Sequence, residues 1–171
     1  MIIDLFQIEQ ANYEFDNLIQ PENIGLDDEA ARIELLVKIS GVIKKGIAQV
    51  DLSGRIEGEI EIDCMRCLQP VKTPLNIQFK VVYVAPENYT GEREAEIGTD
   101  DLDIAIYDDE KLDLAEIARE QILLNLPTRF LCREDCSGLC QVCGANKNFT
   151  DCNCEEKQID PRWSSLKDLQ F

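Results

Sequence analysis

The feature that most constrains this chain of 171 residues is a cluster of six cysteines within the 23 residues from Cys132 to Cys154. The other two of its eight cysteines, Cys64 and Cys67, form a CxxC far upstream. A CxxC places two sulfurs on one tight turn, and zinc accepts four cysteine sulfurs tetrahedrally at about 2.3 Å. The spacing therefore predicts that the cysteines hold metal ions and that these ions organise the C-terminal part of the chain.

The eight cysteines divide into two candidate zinc sites of four. Cys140 and Cys143 form a second CxxC. Gly144 directly follows it and is free to take the positive φ that closes such a turn. The first site takes that CxxC and the CxC that follows it, namely Cys140, Cys143, Cys152 and Cys154. The second takes the other four, namely Cys64, Cys67, Cys132 and Cys136, and would tie the tail to the middle of the chain. An exchange of Cys136 with Cys140 stays open, since each lies at an x₃ spacing from a neighbouring cysteine.

Three roles other than zinc binding are open to these cysteines. Disulfides suit small secreted proteins, but the chain opens MIIDLFQIEQ, without the charged, apolar and small-residue regions of a signal peptide. In a reducing cytosol, closely spaced thiols are more often metal ligands, or redox and iron–sulfur centres. Cys64 and Cys67 could instead be two buried apolar residues, against which the intervening Met65-Arg66 argues. The prediction is two structural Zn²⁺ ions.

Charge divides the chain unevenly. Acidic residues outnumber basic ones by 34 to 17, a formal net charge of −17. Residues 126–171 hold six basic and seven acidic residues, so residues 1–125 carry −16. The negative charge of residues 1–125 disfavours binding of nucleic acid over most of the surface and suits a basic protein partner. The tail is therefore the better face for direct RNA contact. The alternative explanation of the acidic excess is that it serves only to keep the protein soluble.

No apolar run approaches the roughly 20 residues that cross a bilayer. The prediction is therefore a soluble, cytoplasmic protein without a membrane partner.

Strand patterns dominate the first half of the chain. An apolar strand candidate at 2–8 is followed by a polar stretch, interpreted as loop through residue 27. Apolar and polar residues then alternate, as in antiparallel strands with one wet face, over 32–40, 48–53, 56–63 and 75–83. The upstream CxxC falls at the bend after the third of these, before a turn around Pro70 and Pro74. The pattern predicts a meander.

Residues 86–111 hold ten acidic residues. They predict a solvated loop or acidic insertion, with partner binding as the alternative and a short edge strand at 104–107.

One helix is predicted over 113–126. Asp113 and Glu116 have the spacing of a capping box, and Pro127 ends the helix. One face is apolar, with Leu114, Ile117, Ala118 and Ile122. A second, short helix follows Asp160-Pro161, with Trp163, Leu166 and Leu169 at helical spacing.

The fold class is therefore α+β, mostly β, an antiparallel sheet or partial barrel with one packed helix and a C-terminal zinc-stapled tail. The predicted domains are a β domain at 1–127 and a cysteine-rich zinc-binding tail at 128–171.

Residue types that usually carry catalysis are missing. The chain has no histidine, which removes serine and cysteine triads, and no glycine-rich phosphate loop. Four thiolates also close the coordination shell of a zinc ion, which leaves no position for a substrate. The prediction is a protein that is not an enzyme and takes no small-molecule substrate. The alternative is a thiol-redox or metal-responsive protein that uses a CxxC. A third option is an acidic interaction module.

Several linked motifs resemble the YceD-like family over roughly residues 30–171. They are CMRCL at 64–68, Leu126-Pro127, Leu131-Cys132, GLCQVCGAN at 138–146, and Asp160-Pro161-Arg162 with Leu166 and Leu169. In the family the first CxxC and a ligand pair soon after the Leu-Pro are the broader feature, which favours the partition above.

The resemblance implies a role in the accumulation or processing of large-subunit ribosomal RNA, and so in assembly of the large ribosomal subunit. The expected partner is a basic ribosomal protein or a pre-large-subunit particle.

Overall fold

The computed structural model describes residues 1–8, 10–27, 30–47, 49–84, 104–106 and 111–154, and it is mainly β-sheet with one α-helix. The strands are β1 (Ile2–Asp4), β2 (Asn12–Ile19), β3 (Ala31–Arg32), β4 (Val37–Lys45), β5 (Gln49–Asp63), β6 (Pro70–Val84), β7 (Ile104–Ile106) and β8 (Lys111–Asp113), and the helix is α1 (Leu114–Asn125). Six strands form an open sheet in the order β2-β4-β5-β6-β7, with β3 beside β5, and β1 pairs with β8. The predicted class is confirmed, except that β6 and β7 are parallel, so the sheet is mixed.

The described residues fall into two compact units. Unit one comprises Met1–Ile62 and Val71–Thr128, and unit two takes Asp63–Pro70 together with the chain from Arg129 onward. The first CxxC thus belongs to the same unit as the tail cysteines. The predicted domains, 1–127 and 128–171, stay a prediction.

Two predicted features lie outside the described residues. They are most of the acidic segment 86–111, apart from 104–106 and Lys111, and the short helix after Pro161.

The central strands β4 and β5 pair antiparallel, with Gly41 opposite Gly54. The alternation predicted two strands separated at Gly54, and this is wrong, because β5 runs unbroken through it. A Cβ on Gly54 would lie 3.0 Å from Cζ of Phe79, and one on Gly41 would lie 2.9 Å from Cζ of Phe15. These glycines therefore make room for aromatic rings on the buried face of the sheet, a use of glycine that local sequence does not distinguish from a turn.

The first 40 residues depart most from prediction. The stretch read as loop contains β2, whose Phe15 and Ile19 are buried while most of its other side chains are exposed. The strand predicted at 32–40 is interrupted after β3 and resumes at Val37, and Leu35 is 55% exposed. The strand predicted at 2–8 gives way to a 3₁₀ turn at Leu5–Gln7. Most residues of the edge strand β2 are polar or exposed, so its sequence lacks the apolar–polar alternation that identifies a strand.

The prolines of β6 also differ from expectation. Pro70 and Pro74 predicted a turn, yet β6 begins at Pro70 and continues through Pro74. In the sheet β6 lies between β5 and β7, but β7 pairs only with Val82–Val84. Among the described residues, β6 therefore has no strand beside it on the β7 side at Pro74. A proline, which has no N–H to donate, is tolerated on such an edge.

α1 begins at the predicted cap. The Asp113 carboxylate accepts a hydrogen bond from the Ala115 N–H at 2.9 Å, and the apolar side of the helix is buried. Within the part of the chain that the structure describes, no helix is long and apolar enough to cross a bilayer.

We expect Asp113→Ala to lower the free energy of unfolding by about 1 kcal/mol, since it removes this N-cap. Asp113→Asn is the control, because asparagine caps a helix about as well as aspartate does and loses only the exposed ion pair with the Met1 ammonium at 2.9 Å. Urea unfolding followed by helical circular dichroism measures both variants. A loss for the asparagine variant as large as that for the alanine variant would contradict the capping role.

Candidate metal centre

The structure brings the eight cysteines together in two groups of four, both in unit two. Site A contains Cys64, Cys67, Cys132 and Cys136, and site B contains Cys140, Cys143, Cys152 and Cys154. Within each group the four sulfurs lie within 4.8 Å of one another. Of the partitions that the spacing left open, the geometry has Cys136 in site A and Cys140 in site B.

The spacing of the sulfurs suits a tetrahedral cation. In site A the Sγ atoms of Cys64 and Cys136 are 3.8 Å apart, and those of Cys67 and Cys132 are 3.7 Å apart. A zinc ion with four sulfurs at 2.3 Å would separate any two of them by about 3.8 Å, whereas a disulfide holds them at about 2.05 Å. The four donors of site A therefore fit a zinc ion.

Site A lies in a small core of its own. Cys64, Cys67 and Cys136 are buried, and partly buried Leu131, Cys132 and Leu139 pack against them. Sulfurs in such a place have little access to water, so a cation bound by them would be shielded from exchange.

Two hydrogen bonds close the first knuckle, at residues 64–69. The Leu68 N–H donates to the Cys64 carbonyl at 2.8 Å, and the Cys64 N–H donates to the Gln69 carbonyl at 2.9 Å. Leu68 has a φ of 56°. A leucine in the left-handed region is unusual, and the closed turn holds it there.

The second knuckle, at residues 140–145, repeats this pattern. The Gly144 N–H donates to the Cys140 carbonyl, and the Cys140 N–H to the Ala145 carbonyl, both at 2.8 Å. Gly144 has a φ of 74°, as predicted, and occupies the position that Leu68 holds in the first knuckle. The two CxxC motifs are thus the same turn, one with glycine and one with leucine at its left-handed position.

We expect Leu68→Gly to raise the stability of unit two slightly, by roughly 0.5 kcal/mol. The left-handed conformation costs an L-residue about 1–2 kcal/mol, which exceeds the roughly 0.5–1 kcal/mol that glycine loses through backbone entropy. Met65→Gly is the control, because Met65 is similarly exposed on the same knuckle without a positive φ, and should be destabilising. Urea unfolding in the presence of zinc compares the two variants, and equal destabilisation by both would refute the strain at Leu68.

The electrostatics of each group favour a thiolate at the first cysteine of its knuckle. Burial acts to raise the pKa of Cys64, but backbone N–H groups, that of Cys132 foremost, lower this pKa to about 6. The N–H of Cys143 leads those that lower the pKa of Cys140 to about 6. Burial and neighbouring thiols raise the pKa of Cys132 to about 12, and the Cys143 side chain and burial do the same for Cys154. Full ionisation of either group therefore calls for a positive charge among the sulfurs.

Side chains other than cysteine also hold site A. Asn148 Nδ2 donates to Cys136 Sγ at 3.4 Å, and Arg66 Nη1 donates to the Cys136 carbonyl at 2.8 Å. Asn148 Oδ1 accepts from the Ser137 N–H at 2.8 Å and from Arg133 Nη2 at 2.9 Å. Sequence reasoning missed these residues. Its one available signal was an amide residue between two ligand pairs.

Residues 52–170 match the family model described as "Large ribosomal RNA subunit accumulation protein YceD". The chain belongs to the YceD family. The matched segment contains all eight cysteines of both sites. The resemblance predicted from the sequence motifs is therefore confirmed.

Relatives of this YceD-family chain span bacteria and plants. An uncharacterised protein of Mycobacterium tuberculosis is 28% identical over 158 residues, which cover 90% of this chain and 72% of the relative. The uncharacterised protein YlbN of Bacillus subtilis is 27% identical over 170 residues, covering 98% and 94%. A Zea mays protein is named large ribosomal RNA subunit accumulation protein YCED homolog 1, chloroplastic, and is 24% identical over 160 residues, covering 78% and 54%. No solved structure matches the YceD-family chain significantly.

Proposed function

We propose that this YceD-family protein is a noncatalytic factor in the cytoplasm that supports accumulation and processing of large-subunit ribosomal RNA, and assembly of the large ribosomal subunit. The observation that carries the proposal is the family match, which extends over residues 52–170 and so over both cysteine groups. The description of the family and the name of the maize relative both refer to accumulation of this RNA.

Two structural zinc ions are part of the proposal. Each group offers four cysteine sulfurs, the donor set of structural zinc sites, and the distances in site A match a tetrahedron of sulfurs around zinc. In each site a bound zinc ion would join the knuckle to the other two cysteines of its group and neutralise part of the thiolate charge. With all four positions taken by sulfur it would present none to a substrate, which supports a scaffolding role rather than a catalytic one.

A metal analysis separates this proposal from a thiol-redox protein. Structural sites predict two zinc ions per chain in the protein purified under reducing conditions, with thiols that react with a thiol reagent only after chelation or denaturation. One zinc-free CxxC that reacts rapidly in the native protein would favour redox chemistry instead.

The proposed partner is a basic ribosomal protein, alone or on a pre-large-subunit particle. Several cations of unit one already face carboxylates, as in the pairs Lys38–Asp16 at 3.0 Å, Lys72–Glu34 at 3.3 Å and Arg119–Asp27 at 2.7 Å. Since the chain carries −17 overall, this pairing leaves acidic residues in excess for a cationic partner. Direct RNA contact, where it occurs, is proposed for the cysteine-rich tail, where basic and acidic residues are nearly balanced before the thiolates are counted.

Capture from lysate tests the assembly role and its route together. The tagged protein should retain large-subunit proteins, and retention after ribonuclease treatment supports the protein route, whereas loss on digestion assigns the contact to RNA. Recovery of no large-subunit component under either condition would refute the assembly role.

A complementation assay tests whether site B is needed for the proposed role. In cells lacking the native protein, Cys143→Ser should fail to restore the ratio of large- to small-subunit ribosomal RNA. Val142→Ser changes an exposed neighbour on the same knuckle and should restore it. Equal rescue by both variants would show that site B is dispensable for the role.

A further inference from the structure

We propose that sites A and B bind metal cooperatively, because the loop that joins the ligand pairs of site B places the Asn148 side chain on a ligand of site A. The inference rests on the proposed occupation of both sites by zinc. Asn148 acts as a positioning residue, through the sulfur that it contacts.

The loop at residues 144–151 depends on site B at both ends. Cys143 precedes it and Cys152 follows it, so an ion in site B would fix the distance between its ends. The loop itself is a compact turn built on Asn146. Asn146 Oδ1 accepts from the Asn148 N–H at 3.0 Å and from Asn148 Nδ2 at 2.7 Å, and its carbonyl accepts from the N–H groups of Phe149 and Thr150, both at 3.1 Å. This network orients the Asn148 amide.

The oriented amide reaches site A. Its Nδ2 lies 3.4 Å from Cys136 Sγ, and its Oδ1 accepts from the Ser137 N–H at 2.8 Å, directly after that ligand. Cys136 is only 2% exposed, so water cannot readily replace the donated hydrogen bond. A donor aimed at a buried thiolate fixes the direction of the sulfur and favours its metal-bound state, as partners of metal ligands generally do.

A backbone ladder couples the same parts of the chain. The Leu139 N–H donates to the Arg66 carbonyl of the first knuckle at 3.1 Å, and the Lys147 N–H of the loop donates to the Gly138 carbonyl at 2.9 Å. Leu139 also pairs with Asn146 in an isolated antiparallel bridge. Gly138 has a φ of 71°, and a Cβ there would lie 3.0 Å from the Arg66 carbonyl oxygen, so the close approach requires glycine. Residues 138–139 thus lie between the knuckle of site A and the loop of site B.

The energetic consequence is reciprocal. An ion in site B orders the loop, and an ordered loop presents Asn148 and its backbone partners to site A without further loss of conformational entropy. Linkage then requires that an ion in site A raise the affinity of site B by the same factor. Removal of a partner that orients a metal ligand typically lowers affinity about 10–100-fold, which sets the size of the expected effect.

Zinc titration against a competing chelator tests the coupling in the full chain. With site B disabled by Cys143→Ser and Cys152→Ser, the affinity of site A should fall about 10–100-fold. When Asn148 is also replaced by alanine, the same two substitutions in site B should lower the affinity of site A by a factor that is several-fold smaller. Asn153→Ala is the matched control, since Asn153 is an exposed asparagine between two site B ligands, and it should keep the full coupling.

A second measurement needs no variant. When zinc is limiting, native mass spectrometry of the parent should show chains with no zinc and chains with two, and few with one. A statistical distribution of zero, one and two ions, or an unchanged site A after site B is disabled, would overturn the inference while leaving the zinc sites in place. An undiminished effect in the Asn148→Ala background would overturn the route through Asn148. A parent that binds no zinc would instead refute the proposed function.

Discussion

With zinc in site A as proposed, replacing Cys67 with serine should abolish metal binding there and unfold the described part of the cysteine-rich segment, residues 129–154. Cys67 is 3% exposed and faces Cys132 across the group, so the hydroxyl would be a weak ligand in a buried place. The binding free energy of a structural zinc becomes folding free energy, on the order of 10 kcal/mol in small peptides, so the loss exceeds what the small core around site A can replace. Unit two should become unfolded at equilibrium.

Limited digestion with trypsin, followed by mass spectrometry, measures this outcome. In the parent, cleavage after Arg129 and Arg133 should be slow, and in Cys67→Ser it should be rapid. Met65→Ser, two residues away on the same knuckle, alters a side chain that is 63% exposed and should retain the resistance of the parent. Resistance of Cys67→Ser equal to that of the parent would show that the segment folds without site A.

Placing a single methyl group on the central sheet is expected to have the second largest effect. We expect Gly54→Ala to lower the free energy of unfolding of unit one by roughly 3 kcal/mol, at the upper end of the range for overpacked sites. The new Cβ would overlap the Ser40 carbonyl oxygen of β4 and lie 3.0 Å from Cζ of Phe79. Because one of the two obstacles is backbone, a rotamer change cannot relieve the clash.

Gly25→Ala is the matched control for this change. A Cβ at Gly25 meets nothing within 4 Å, and its φ lies outside the left-handed region, so the effect should stay within about 0.5 kcal/mol. Urea unfolding followed by the circular dichroism of the sheet compares the two variants. A change for Gly54→Ala no larger than that for Gly25→Ala would show that β4 and β5 can separate locally, and that the glycine pair is not required.

Features that depend on neighbours in sequence were predictable. Two sulfurs three residues apart already share a turn, so the cysteine pair of each knuckle and the positive φ of Gly144 follow from spacing alone. The start of α1 follows in the same way, because Asp113 caps an amide only two residues on. Alternation located the buried faces of β4, β5 and β6, since period two holds wherever one face of a strand is buried.

Features that depend on distant residues were not. Gly54 is accounted for by Phe79 and by a carbonyl of β4, and neither can be inferred from the residues around it. Asn148 contacts Cys136 across 12 residues of intervening fold, which the sequence around Asn148 does not reveal. In each case tertiary contacts outweigh the local tendency of the residue.

The first knuckle lies between β5 and β6, and its sulfurs meet partners that follow 65 and 72 residues later in the chain. At translation rates of roughly 5–20 residues per second, the nascent chain carries this CxxC for about 4 to 14 seconds before its counterparts are synthesised. During that interval the two thiols are open to oxidants and to copper, which binds thiolates more tightly than zinc does. With zinc as the proposed ion of site A, its supply at the moment of synthesis should therefore limit the yield of intact protein, and zinc starvation should harm newly made molecules far more than finished ones.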